Sequence, residues 1–230
     1  MRDLCLFVLA TTTVGCASHP RATPEPHGHA THAHGDHPGH GVYGGAEQWA
    51  QRFDDPTRDA WQRPDDVIRL LNLTPTMTVA DVGAGTGYFS VRLARAVPDG
   101  QVIATDLEPD MIRYLAERAG REQLPNLRAQ LATPSTSGLA ASSVDAILVV
   151  HVWHHVAARA SYARDLAAAL RPGGTLLIVD FKPDAANGPP MNHRVAPDVV
   201  VAELAAAGLD AKVSSVDLPG QYIVEAGRRR

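Results

Sequence analysis

The chain has 230 residues, 45% of them hydrophobic and 20% charged, which is enough to bury one substantial core and hardly two. A formal net charge of -4 provides no general attraction to phosphate backbones or anionic lipid, so nucleic acid is not an expected partner. The only two cysteines are Cys5 and Cys16, so the rest of the chain has no disulfide, thiolate-metal or cysteine-nucleophile chemistry.

Residues 1–15 read as an export signal: Arg2 is a short charged start, Leu4 to Val14 an apolar stretch, and Gly15-Cys16 a small-residue junction. The stretch is shorter than the about 20 apolar residues a spanning helix needs. Thr13-Val14-Gly15-Cys16 resembles a bacterial lipoprotein signal, in which the cysteine becomes the lipid-bearing first residue. That resemblance implies a membrane-surface tether through a lipidated Cys16 and a periplasm-facing place in the cell envelope. The alternative is a cytoplasmic protein with an unusual leader. Residues 16–45 are His, Pro, Gly, Ala and Thr with almost no large apolar side chain, the composition of a flexible linker. Its histidines at 27, 29, 32, 34, 37 and 40 have two readings: a flexible chelator of divalent metal, or a polar linker of biased composition.

The folded domain is expected over residues 46–230. Trp49, Phe53 and Trp61 stand in an otherwise polar stretch, either packing on the core or forming a lid over a ligand cleft. Pro64 opens a helix over Asp65 to Leu71. Beyond Thr76, short β-rich runs occur at Thr78 to Val82, Val102 to Asp106, Leu127 to Leu131, Val144 to Val150 and Thr175 to Phe181. Their near-continuous apolarity predicts parallel strands covered on both faces. Helical stretches lie at Tyr88 to Ala96, Asp110 to Ala119 and Ala157 to Leu170, the last stopped by Arg171-Pro172-Gly173-Gly174. The link after Leu131 reads as loop. After Pro197 a helix runs to about Ala207, and Lys212 to Asp217 with Gln221 to Ala226 predicts a hairpin turned by Pro219-Gly220. The fold class is α/β, a doubly wound, mostly parallel sheet with an antiparallel finish.

The most informative stretch is Asp81-Val82-Gly83-Ala84-Gly85-Thr86-Gly87-Tyr88, where a buried strand ends in a glycine bend leading to a helix. Such a bend lets ligand atoms approach the backbone. Asp106 closes the next strand, where its carboxylate can accept hydrogen bonds from both hydroxyls of a ribose. Asp81, beside the bend, suits an ammonium group and would repel a pyrophosphate. Tyr88 at the third glycine position of the dinucleotide pattern disfavours a nicotinamide-dependent oxidoreductase.

From about Pro64 to Gly227 the chain resembles the class I S-adenosylmethionine-dependent methyltransferases. The Asp81 to Gly87 bend resembles that family's first motif, Asp106 its ribose-binding acid, and Leu170 to Leu176 its late turn into the fifth strand. The resemblance implies a seven-stranded Rossmann-like sheet of order 3-2-1-4-5-7-6 with strand seven antiparallel. It implies S-adenosyl-L-methionine as cofactor, held by Asp81, Gly83, Ala84, Gly85 and Gly87 at the methionine end and by Asp106 at the ribose. Leu107 and Met111 would pack near the adenine. Many relatives have an acidic residue after the third strand; here the run is Leu131-Ala132-Thr133-Pro134-Ser135, so hydroxyls such as that of Thr133, or backbone carbonyls, would take its place.

Ligands of open parallel sheets bind beyond the carboxyl ends of the strands, and the fourth strand ends at His151-Val152-Trp153-His154-His155. His151, His154 and His155 are therefore candidate catalytic bases for a hydroxyl, amine or activated carbon of a small-molecule substrate. Asp180, His193, Arg194, Gln221 and Tyr222 are either pocket walls or ordinary surface and edge packing. The expected function is methyl transfer. The alternative is a catalytically inactive methyltransferase-like envelope protein whose His-rich arm handles metal.

Overall fold

Pro64 and Pro109 each stand at the first position of a helix with acidic residues in the first turn and arginine in the last, the arrangement that fixes φ at the start and complements the helix dipole. The computed structural model describes residues 45–229. The expected leader, Cys16 and the six linker histidines lie outside the described residues. In chain order the elements are α1 (Ala46–Phe53), α2 (Arg58–Gln62), α3 (Pro64–Leu70), β1 (Thr78–Val82), α4 (Ser90–Ala96), β2 (Gln101–Asp106) and α5 (Pro109–Arg121). They continue with β3 (Leu127–Leu131), β4 (Val144–Val150), α6 (Arg159–Ala169), β5 (Leu170–Phe181), α7 (Pro197–Ala206), β6 (Asp210–Val213) and β7 (Gln221–Gly227). Short 3-10 turns occur at Trp153–His155 and Met191–His193.

The strands form one seven-stranded sheet in the order β3-β2-β1-β4-β5-β7-β6, with β7 antiparallel to both its neighbours, as the sequence implied. Alternation along β4 and β5 sends Ile147, Val149, Leu176 and Ile178 to one face, where they pack with Leu166 of α6 and Leu204 of α7. Ala146, Leu148, Leu177 and Val179 face the other way, onto a core shared with Val67 of α3, Leu93 of α4 and Leu115 of α5. Helices on both faces explain why the central strands carry no polar face.

Three boundaries differ from the sequence reading. The Arg171 to Gly174 run does not stop before β5: Leu170 already pairs with Val144, the next four residues bulge outward, and pairing resumes at Thr175 with Ala146. The last connection is longer than a Pro-Gly turn, because β6 occupies Asp210–Val213 rather than Lys212 to Asp217. There the Ser214 hydroxyl accepts the Val216 amide and bends the chain away from the ladder. Finally, α4 begins at Ser90 rather than Tyr88, because the left-handed Gly87 keeps the chain in turns through Phe89.

The segment before α3 folds back over the carboxyl ends of the strands. Asp110 Oδ2 accepts the amides of Ala46 at 2.7 Å and Gly45 at 3.1 Å, fixing the start of α1 to α5. Arg118 ties the other end, donating to Asp54 at 2.8 Å and to the Thr86 carbonyl at 2.9 Å. No helix among the described residues is long and apolar enough to cross a membrane.

Candidate active site

Gly83, Gly85 and Gly87 have φ of 71°, 56° and 94°, a left-handed run that only glycine adopts without strain. The Gly83 and Ala84 amides donate to the Thr105 carbonyl at 2.8 and 3.0 Å, pinning the bend to the end of β2. A Cβ on Gly83 would stand 2.2 Å from Val152 Cγ2, and one on Gly87 would stand 2.6 Å from Leu115 Cδ2. The bare side of Gly87 therefore faces α5 and serves packing. Gly85 instead lies under Phe53, where an added Cβ would be 3.4 Å from the ring.

Two carboxylates flank this bend. Asp106 accepts the Gly85 amide on Oδ2 at 2.8 Å and the Glu108 amide on Oδ1 at 3.0 Å, so it anchors the bend directly; burial holds its pKa above the usual range despite these amides. Asp81 is 3% exposed and accepts the Ser90 hydroxyl at 2.6 Å. Burial pushes its pKa up to about 6, although Ser90 and the Arg58 charge favour the ionised form. A carboxyl raised in this way contributes stability that is complete below about pH 4 and is lost as pH rises through 6. At neutral pH, folding therefore carries a charge that costs roughly 3 kcal/mol to bury, a cost that a nearby cation would offset.

The histidines end β4 in three different environments. His151 has φ of 57°, an uncommon value for a residue other than glycine, and its amide donates to the Val179 carbonyl at 2.9 Å. Its ring stacks on Phe181 at 4.2 Å and on Trp61 at 6.0 Å. Burial pushes its pKa down to about 4, so it is neutral at physiological pH. Nε2 lies 2.8 Å from Gln221 Oε1, an acceptor, so Nε2 carries the proton and Nδ1 the lone pair. His154 pairs instead with Asp180: Nδ1 donates to Oδ1 at 2.7 Å, and the His154 amide donates to Oδ2 at 3.1 Å. Both side chains are under 5% exposed. Burial alone would raise the Asp180 carboxyl, yet the His154 contact holds it below its ordinary value. This fixes the His154 tautomer and leaves Nε2 as its proton-accepting nitrogen. His155 is exposed, its ring 4.1 Å from that of His154. The turn that carries them is anchored by buried Trp153, whose Nε1 donates to Glu203 at 2.8 Å.

The walls come from both ends of the described chain. Gln62 Nε2 donates to Gln221 Oε1 at 2.8 Å, and Gln221 Nε2 donates to the Trp61 carbonyl at 3.2 Å. Opposite, a Cβ on Gly188 would stand 2.6 Å from Phe181, so the loop after β5 lies directly on that ring. Arg194 holds this loop by donating to the carbonyls of Pro189, Pro183 and Ala185 at 2.9, 3.0 and 2.6 Å.

Residues 80–178 match the protein-family model described as a methyltransferase domain. An uncharacterised methyltransferase of Mycobacterium tuberculosis is 39% identical over 117 residues, covering 50% of this chain and 44% of that relative. The chain thus spans less than half the length of the curated relatives it matches first. A crystal structure of a SAM-dependent methyltransferase from Aquifex aeolicus superimposes with a TM-score of 0.71 at 26% identity, covering 78% of this chain and 97% of that one. The Haemonchus contortus phosphoethanolamine N-methyltransferase 2, crystallised with S-adenosyl-L-methionine, shares the fold at 13% identity and a TM-score of 0.63, over 74% of this chain and 53% of that one. Over residues 80–178 the chain is similar to methyltransferase domains.

Asp81, Gly83, Ala84, Gly85 and Asp106 lie together at the turn between β1 and α4, with Asp106 accepting the Gly85 amide. Leu107 is half-buried and Met111 is 2% exposed at the start of α5. Thr133 is exposed just past β3, in the loop whose Ala132 amide donates to the Asp106 carbonyl at 2.8 Å. Trp49 and Phe53 pack together, ring centroids 5.2 Å apart, Phe53 lies against Gly85, and Trp61 stacks on His151. Sequence reasoning missed Arg58 and Gln62, because polar residues in a five-residue helix carry no periodic signal; their one clue was the aromatic cluster around them. Gly83→Ala should lower thermal stability by about 2 kcal/mol or more, from overlap with Val152 and left-handed strain together. Adding Val152→Ala should recover only part of that loss, measured by thermal unfolding.

Proposed function

We propose that this chain is an S-adenosylmethionine-dependent methyltransferase acting on a small-molecule substrate. The observation that carries the reading is the pair of carboxylates around the bare glycine bend, Asp106 half-buried and Asp81 buried, the latter with its pKa pushed up to about 6 and therefore poised to ionise beside an ammonium group. The bend fits the cofactor because its left-handed glycines leave backbone that ligand atoms can approach, and because Asp106 keeps one lone pair on each oxygen for a ribose diol. Asp81, Gly83, Ala84 and Gly85 would hold the methionine end, Asp106 the ribose, and Leu107, Met111 and Thr133 the adenine end; Gly87 supports the bend through α5. The SAM dependence of the Aquifex aeolicus neighbour supports the same cofactor.

When bound, the cofactor supplies an electrophilic methyl group on a sulfonium. The protein's part is alignment of the acceptor and removal of its proton. His154 is the favoured base: Asp180 orients it and would stabilise the imidazolium after its Nε2 takes a proton from an acceptor O–H or N–H. His151, neutral and with a pKa near 4, is too weak a base for the same task and forms an aromatic wall. Exposed His155 neighbours the pair at the rim. The leader reading belongs to the same proposal: a lipidated Cys16 would hold the domain at the cell envelope, and mass spectrometry of the mature amino terminus should find an acylated cysteine there rather than Met1.

Isothermal titration should show binding of both S-adenosylmethionine and S-adenosylhomocysteine; no binding of either overturns the reading. With labelled methyl donor and a small-molecule extract, His154→Gln should slow transfer about 100-fold or more and leave cofactor affinity within about twofold. A loss of affinity in place of rate would remove His154 from that role.

A further inference from the structure

The polar side chains that meet around Gln221 can share their donors and acceptors in one arrangement only. Arg58 has donors alone, and its Nη2 and Nε point to Gln62 Oε1 at 3.2 and 3.4 Å. This turns the Gln62 amide nitrogen toward Gln221 Oε1, 2.8 Å away. At the other end the Trp61 carbonyl can only accept, and it takes Gln221 Nε2 at 3.2 Å. Gln221 therefore presents its oxygen, not its nitrogen, to His151 Nε2 at 2.8 Å, and the proton of the neutral ring is on Nε2. Gln62 is 0% and Gln221 1% exposed, so reversing either amide would set like groups against each other away from solvent.

The same arrangement leaves His151 Nδ1 as a bare lone pair. Burial keeps the ring neutral, with its pKa pushed down to about 4 although the Asp180 charge favours the cation. Nδ1 has no hydrogen-bond partner among the described residues, and neither has His154 Nε2. Among those residues the fully buried side-chain atoms without a partner are Thr86 Oγ1 and Thr105 Oγ1, so both imidazole nitrogens reach open space. The two rings lie against Phe181, with centroids 4.2 and 6.2 Å from it, at the carboxyl end of β4 where a ligand of this sheet is expected. One lone pair belongs to the ring that Asp180 orients as the base. The other belongs to a ring that stays neutral and only accepts a hydrogen bond.

We propose that His151 is a specificity-determining residue of the acceptor site, its Nδ1 taking a hydrogen bond from a neutral O–H or N–H that the methyl acceptor carries beside the atom to be methylated. Gln221 is the positioning residue that keeps Nδ1 free of a proton. The inference rests on the transferase reading above and names the class of its substrate, a compound with two proton-bearing groups. One loses its proton to His154 and gains the methyl; the second keeps its proton and bonds to His151. A substrate without that second donor leaves Nδ1 desolvated and unpaired, and a carboxylate or ether oxygen in its place faces a lone pair.

The test is heteronuclear NMR of the full chain labelled at the histidine ring nitrogens, with S-adenosylhomocysteine present and phenol or anisole as probe. Phenol donates a hydrogen bond and anisole cannot. The protein should show His151 as the Nε2–H tautomer, and Gln221→Leu should give a mixture of tautomers. Phenol should move the Nδ1 resonance toward its protonated position, and anisole should leave it in place. His151→Phe keeps the flat ring without the lone pair and should weaken phenol binding about 10-fold. His151→Asn, whose Oδ1 can stand in for Nδ1 and which tolerates positive φ, should recover most of that loss. S-adenosylhomocysteine affinity should stay within about twofold in both variants, which also shows that they fold. An Nδ1–H tautomer in the parent protein, no response to phenol, an equal response to both probes, or unchanged phenol affinity in His151→Phe overturns the inference. A single Nε2–H tautomer in Gln221→Leu removes Gln221 from its role. Failure of S-adenosylhomocysteine to bind the parent protein, read by calorimetry, is a separate outcome that overturns the transferase reading itself.

Discussion

The Asp81 carboxylate is buried at the end of a central parallel strand, in contact with the Ser90 hydroxyl and in the field of Arg58, and the crevice is arranged around this unfavourable charge. Parallel strands covered on both faces leave few polar groups inside, so a carboxylate retained there weakens the empty fold as it ionises. The glycine bend begins two residues later, and its amides are taken by Thr105 and Asp106 rather than by Asp81. The bend is thereby kept open by one carboxylate while the other keeps its affinity for a cation.

Around that pair, contacts distant in sequence close the crevice. Gln221, at the start of the last strand, accepts from both Gln62 and His151, joining the lid, the final strand and the end of β4 at one oxygen. On the far side Arg194 gathers the loop after β5, and Gly188 of that loop presses on Phe181, the ring that stacks on His151. A ligand entering beneath Phe53 and Trp61 would perturb the lid and the β5 loop through this one stack.

Much of this was legible in the sequence. The strand cores were readable because residues buried on both faces leave uninterrupted apolar runs, and Asp81, the bend and Asp106 were readable because their spacing is local. The bulge in β5 was not, since Pro172-Gly173-Gly174 has the composition of a stop, and only pairing with β4 reveals that the strand resumes across it. The short β6 was displaced because Val213, Val216 and Leu218 look alike in a propensity reading, while the Ser214 turn decides where the ladder ends. Within the site, the three histidines were visible as a cluster but equivalent to one another. Their separation into a ring stacked on Trp61 and Phe181, a ring bonded to Asp180 and an exposed ring comes from Gln221 and Asp180, partners 70 and 26 residues away. Arg58 was silent for the same reason: it is set over the ring of Tyr88, on a distant stretch of the chain.

The central claim, a buried carboxylate that waits for a cation, predicts proton release on binding. At pH 6 Asp81 is about half protonated in the empty protein, and an ammonium beside it should drive off roughly half a proton per S-adenosylmethionine bound. Titration at that pH in buffers of different ionisation enthalpy measures this number directly, and Asp81→Asn should abolish it. Binding without proton exchange, or the same exchange in Asp81→Asn, would contradict the account.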